Sequence, residues 1–236
     1  MPDSVLSATD VTVRRGRRVV LTGIDLEVER GAAVRLAGPN GSGKTSLLRV
    51  LAGLAPPARG AVSRACACAF VPEKVQLAGS LRVGEWLTVV RRLRGLPPLD
   101  WHVAAERCGL PDGVLANAAA RLSKGTLQRV AVLEALESGV PVLLLDEPFA
   151  GLDARGREWL TGALAERTVV FTDHYDSGFA PSATLALGDE VAVPPVAVRA
   201  THPDGRTLER DVAADASDDL LRTLLDDGWH IDRVGR

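Results

Sequence analysis

One octapeptide constrains this chain more than anything else in it. Gly38-Pro39-Asn40-Gly41-Ser42-Gly43-Lys44-Thr45 matches G-x-x-x-x-G-K-[ST]. It follows an apolar run of strand length, Ala32 to Ala37, and precedes Ser46 to Leu54, whose helical spacing stops before Pro56-Pro57. Glycines in such a loop let successive backbone N–H groups turn toward one point, and the following helix aims the positive end of its dipole there. The run from Gly38 to Ser46 is therefore a candidate phosphate cradle, with Lys44 meeting the outer phosphates and Thr45 offering a hydroxyl to Mg2+. Lysine is rare in this chain: Lys44, Lys74 and Lys124 are its three lysines among 28 basic residues, so one inside a glycine loop is a selective signal.

A second feature bears on the first. Val140 to Leu145 is a near-continuous apolar run, as expected of a parallel strand covered on both faces, and it ends in Asp146-Glu147. Ligands of open α/β sheets bind outside the carboxyl ends of the strands, which places both carboxylates near the phosphate loop. Asp146 is the candidate Mg2+ ligand. Glu147 is the candidate base that polarises the water attacking a γ-phosphate, because phosphoryl transfer needs mainly positioning and charge compensation.

The rest of the chain predicts an α/β fold. Val11 and Val13, Val19 to Leu21, and Leu26 and Val28 alternate between turns at Arg-Gly-Arg and Glu29-Arg30-Gly31, which reads as a short antiparallel sheet. Ala61 to Val71 reads as one strand ending at Pro72-Glu73. Helical spacing then dominates at Val83 to Leu93, Trp101 to Cys108 and Ser123 to Glu137, predicting a helical insertion over about 79–138 within a domain of residues 1–193. A helix from Ala154 to Glu166 leads to a strand at Thr168 to Thr172. Pro194-Pro195 marks a boundary. Beyond it, two strands around His202-Pro203-Asp204-Gly205, a helix from Ser217 to Asp226 and a strand at Trp229 to Val234 predict a small α+β appendage over 194–236.

Composition excludes several classes. With 46% hydrophobic and 25% charged residues the 236-residue chain is not intrinsically disordered. Its 28 basic and 30 acidic residues give a net charge of -2, so no nucleic-acid partner is expected, the arginines around Gly16 reading as a solvated hairpin. No apolar stretch reaches the roughly 18 residues of a membrane-spanning helix, and Met1 to Asp10 lacks the regions of a signal peptide, which predicts a cytoplasmic chain. Cys66, Cys68 and Cys108 lack metal-type spacing and read as reduced core thiols.

Taken in order along residues 5 to 175, these motifs resemble the nucleotide-binding subunit of ATP-binding cassette (ABC) transporters. Leu122-Ser123-Lys124-Gly125-Thr126 resembles that family's signature, usually Leu-Ser-Gly-Gly-Gln, and lies twenty-odd residues before Asp146. Gly151-Leu152-Asp153 matches the loop after the catalytic glutamate, and Thr172-Asp173-His174 puts a histidine where the family keeps its γ-phosphate sensor. The resemblance implies a phosphate-loop NTPase core with a mostly parallel sheet. It also implies that ATP and Mg2+ are bound between two ATP-binding subunits, as a homodimer or heterodimer, each facing the other's Ser123, Gly125 and Asp153. A separate transmembrane permease would be the partner, with this chain peripheral on the inner face of the membrane. Ser123 has a physical reason for its place, since it can cap the helix running to Glu137 and aim free N–H groups at an anion.

Three positions depart from the family pattern. Arg15 stands where an aromatic residue usually stacks on adenine; a guanidinium can also stack on a base. Glu73 stands where a glutamine usually contacts Mg2+ and the permease; a carboxylate also ligates Mg2+. Lys124 and Thr126 replace Gly and Gln. The Pro72-Glu73 pair and the Leu-Ser-Lys-Gly run are similar to members that serve exporters of drugs or other small compounds, which predicts an ATPase subunit of an exporter. A soluble ABC-type ATPase acting on ribosomes, DNA or cluster assembly, and a nonhydrolytic nucleotide-dependent subunit, stay open as alternatives on sequence alone.

Overall fold

The alternating N-terminal segment folds as two 12-residue strands, β1 (Ser4–Arg15) and β2 (Arg18–Glu29), paired antiparallel from Ser4↔Glu29 to Arg15↔Arg18. The computed structural model describes residues 4–16, 18–77, 81–173, 178–188, 196–212 and 217–235. The chain divides into two compact units, Met1–Asp189 and Glu190–Arg236.

In the first unit, β3 (Ala33–Ala37) runs into the glycine loop and then into α1 (Lys44–Leu51). The helix begins two residues before the expected Ser46 and ends at Leu51, three before Leu54, ahead of Gly53, whose φ of +76° breaks the helical path. The apolar stretch from Ala61 to Val71 is not one strand. It divides into β4 (Arg59–Arg64), which pairs with β1, and β5 (Cys68–Val71), which joins a different sheet after a bend at Ala65 and Cys66. The antiparallel sheet therefore has the order β2-β1-β4, and the third strand expected at Leu26 and Val28 is the continuation of β2.

The helical insertion consists of α2 (Val83–Leu93), α3 (Trp101–Arg107) and α4 (Lys124–Glu137). Val83, Leu87, Trp101, Ala104 and Cys108 pack with Val130 and Leu133 of α4 into a core of their own. The opposite side of α4 offers Ala131, Val132 and Ala135 to the main sheet, so this helix joins the insertion to the core of that sheet.

The main sheet is completed by β6 (Val142–Leu145), α5 (Ala154–Leu164), β7 (Thr168–Thr172) and β8 (Ala183–Ala186). Its order is β5-β6-β7-β3-β8, and all four neighbouring pairs are parallel. Every residue of β6 and β7 is buried, which is why these strands read as unbroken apolar runs. Because the strands are parallel, the glycine loop after β3, Pro72-Glu73 after β5, Asp146-Glu147 after β6 and Asp173 after β7 emerge at one edge.

In the second unit, β9 (Val196–Thr201) lies between β10 (Thr207–Val212) and β11 (His230–Gly235), both antiparallel to it. α6 (Ser217–Asp226) contributes Leu220, Leu221 and Leu224 to a small core with Val198 and Ala200. The boundary expected at Pro194-Pro195 lies outside the described residues.

Candidate nucleotide site

The glycine loop is built so that no larger residue fits its entry. Gly38 has a φ of +155°, and a Cβ there would stand 2.7 Å from the Leu187 carbonyl oxygen and 2.8 Å from Ser42 Oγ. Gly43 has a φ of +97°, and its missing Cβ leaves room for Leu21 and Val20 of β2. The Lys44 ammonium turns back into the loop, donating to the carbonyls of Gly38 at 2.7 Å and Pro39 at 2.9 Å. Burial holds it below the ordinary lysine range, while the carboxylates of Glu147 and Asp146 pull it the other way. The two carboxylates therefore lie close enough for their charge to act on the lysine.

Asp146 is fixed from both sides. Thr45 Oγ1 donates to its Oδ2 at 2.7 Å, and Thr172 Oγ1 donates to its Oδ1 at 2.8 Å. The Thr172 hydroxyl also accepts the Glu147 backbone N–H at 2.8 Å, and Glu147 itself adopts the left-handed conformation with φ +51°. That sharp turn swings the Glu147 side chain away from the path a strand would give it, a cost accepted where a carboxylate must be aimed.

These residues fit Mg2+ and a nucleotide phosphate chain. The Ser42 hydroxyl is buried and lacks a hydrogen-bond partner among the described residues. α1 carries no side-chain cap, so its first amides are left for an anion. The Thr45 hydroxyl and Asp146 carboxylate form the oxygen pair a hard cation takes. Arg15, Thr45, Ser46, Glu73 and Asp146 all line one cavity of about 630 Å³. Glu73, Gly125 and Glu147 line a second of about 340 Å³.

Ser123 lines neither cavity. It caps α4 as expected, its Oγ accepting the Thr126 N–H at 3.1 Å, and it is exposed. Gly125 packs on the loop below, where an added Cβ would lie 3.0 Å from the Gly151 carbonyl oxygen. Asp153 caps α5 by accepting the Gly156 N–H at 2.8 Å and pairs with Arg129 of α4. The Gly156 N–H is the main cause of its lowered carboxyl pKa, with Arg129 adding to it. His174 lies outside the described residues. Thr172 was not among the residues singled out from sequence as part of the site, although a hydroxyl ending the apolar run Val169-Val170-Phe171 is a legible signal.

Comparison with known proteins agrees with this architecture. The family model described as ABC transporter matches residues 21–150. The cytochrome c biogenesis ATP-binding export protein CcmA of Novosphingobium aromaticivorans is 36% identical over 194 residues, covering 79% of this chain and 97% of that protein. The zinc import ATP-binding protein ZnuC of Cereibacter sphaeroides is 39% identical over 157 residues, covering 65% of this chain and 63% of that protein's length. The dimeric ATP-binding cassette MJ0796 with ADP and Pi shares the fold, with a TM-score of 0.67 at 21% identity over 79% of this chain and 96% of that one. Parallel core, antiparallel subdomain, helical insertion and ordered motifs meet in one place: the chain belongs to the ABC transporter family, as an ATP-binding subunit.

Proposed function

We propose that this chain hydrolyses ATP and that hydrolysis drives a separate membrane permease in the direction of export. The observation that carries the enzymatic part is the Asp146 carboxylate, clamped between the Thr45 and Thr172 hydroxyls beside Lys44, with Glu147 next to it. The residue roles follow from that arrangement. The loop amides from Gly38 to Ser46 and the Lys44 ammonium hold the phosphates, while Thr45, Asp146 and Glu73 hold Mg2+ directly or through its waters. Bound Mg2+ compensates the charge of the phosphates during transfer. Glu147 polarises the attacking water, and His174 contacts the γ-phosphate. Arg15 takes the base.

The exposed, capped start of α4 supports a site completed by a second ATP-binding subunit, whose Ser123, Gly125 and Asp153 approach the nucleotide held here. Nucleotide then favours the closed pair because it gains those contacts in that state, and loss of the γ-phosphate removes them. Among the described residues no helix is long and apolar enough to cross a membrane, which supports a peripheral subunit on the inner face. Glu73 to Leu77, beside the helical insertion, is the surface assigned to the permease. Export is supported by the relative that aligns over nearly its whole length, itself named an export protein.

Purified protein is expected to hydrolyse ATP, and Glu147→Gln to bind nucleotide with turnover abolished. Undiminished hydrolysis by Glu147→Gln removes that residue from the base role. For direction, inside-out vesicles carrying the assembled transporter should accumulate a solute when ATP is added, identified by untargeted mass spectrometry; ATP-dependent depletion would mean import.

A further inference from the structure

We propose that Arg15, with Arg14 and Arg49 beside it, selects the base by hydrogen bonding, so that guanine nucleotides bind this chain more tightly than adenine nucleotides. The inference rests on the nucleotide-binding reading above and adds the class of base.

The cavity of about 630 Å³ begins at Thr45, Ser46 and Asp146 and extends to Arg14 and Arg15 at the end of β1, with Arg49 of α1 also on its wall. That end of the cavity is fixed relative to the phosphate cradle. A Cβ at Gly43 would meet Leu21 Cγ at 2.9 Å and Val20 Cγ2 at 3.2 Å, so β2 lies directly against the glycine loop. Arg14 and Arg15 are held to the same hairpin through the pairs Arg14↔Val19 and Arg15↔Arg18. A nucleotide with its phosphates at Lys44 and its body in this cavity therefore carries its base toward arginines.

Among the described residues no aromatic side chain lines the cavity, so a stacking wall that accepts every base face alike is missing from that lining. Among the described residues none of the three guanidinium groups is paired with a carboxylate. Each presents only donors, in a rigid fork. Guanine sets two acceptors side by side, O6 and N7, which a fork satisfies with two bonds. Adenine sets its N6 amino donor beside N7, so the same fork gains one bond and meets a donor. Arg14, Arg15 and Arg49 are all exposed, which weakens the discrimination to about three- to tenfold.

The test is titration calorimetry of the full chain with Mg2+ and unhydrolysed diphosphates: ADP, GDP, IDP and 7-deaza-GDP. GDP and IDP, which keep O6 and N7, are expected to bind about three- to tenfold more tightly than ADP, and 7-deaza-GDP, lacking N7, to fall to the level of ADP. Arg15→Tyr, which offers a stacking face that accepts every base, and Arg15→Ala are both expected to level the order; circular dichroism confirms that both variants fold. Tighter binding of ADP than GDP by the unaltered chain, or an order unchanged by both substitutions, overturns the inference. If ADP is preferred and Lys44→Ala weakens its binding, the nucleotide site stands and the base assignment falls. If no diphosphate binds the folded chain, both fall.

Discussion

Thr172 Oγ1 donates to Asp146 Oδ1 and accepts the Glu147 N–H, both at 2.8 Å, so one buried hydroxyl joins the candidate metal-binding carboxylate to the backbone of the catalytic candidate. Thr172→Val keeps the shape of the side chain and removes both bonds. Loss of a group that orients a metal ligand typically lowers metal affinity or activity about 10–100-fold. Thr172→Val should therefore raise the Mg2+ concentration needed for half-maximal ATPase activity, and Thr172→Ser should restore it. An unchanged Mg2+ requirement would show that Asp146 needs no such anchor.

Two glycine-to-alanine substitutions should act in opposite directions. At Gly38 the added methyl meets a backbone carbonyl that cannot swing aside, and at φ +155° the residue is strained whatever the space. Overpacking of this kind costs about 1–3 kcal/mol. Gly162, exposed on α5 with nothing near its missing Cβ, should become more stable by about 0.5–1 kcal/mol, through helix propensity. Denaturant unfolding of the two variants checks both signs.

In the C-terminal unit, the Arg206 amide N–H, reinforced by the side chains of His202 and Arg206, holds the Asp204 carboxyl down at about 2. A folded value below the ordinary aspartate value of about 3.9 means that the contribution is present above that pH and is lost as pH falls through about 2. NMR of the intact chain should show the Asp204 side chain titrating near 2. Asp204→Asn should remove the pH dependence that the Arg206 amide signal shows between about pH 4 and 2.

Cys108 is buried between α3 and α4, and burial raises its thiol to about 12. At pH 8 about one molecule in ten thousand carries the thiolate that attacks a disulfide reagent. Ellman's reagent should leave Cys108 unlabelled in the native chain and label it on unfolding. Prompt native labelling, located by peptide mapping, would mean the helical insertion opens readily.

What the sequence disclosed follows from how local each feature is. Val83–Leu93, Thr168–Thr172 and Ser217–Asp226 have the bounds expected of them, because the helices are amphipathic and β7 is a five-residue strand buried throughout. The stretch from Ala61 to Val71 reads as one strand because the run is apolar throughout most of its length. Which sheet each half joins is decided by partners far away, β1 for Arg59–Arg64 and β6 for Cys68–Val71. β8 was missed because its four residues, Ala183–Ala186, show no alternation, and pairing with β3 alone makes them a strand. In the site, Lys44, Thr45, Asp146 and Glu147 were legible through their spacing. Thr172 was not singled out because its part in the site exists only once β7 lies beside β6.

The central claim is that nucleotide held at Lys44 is closed over by Ser123 of a second copy. It is tested most directly by light scattering of the Glu147→Gln chain with and without Mg-ATP, alone and combined with Ser123→Arg. The account predicts a dimer that forms with Mg-ATP and is lost when Ser123→Arg is added. A chain that stays monomeric with saturating Mg-ATP, or dimerises equally well with Arg at position 123, would contradict it.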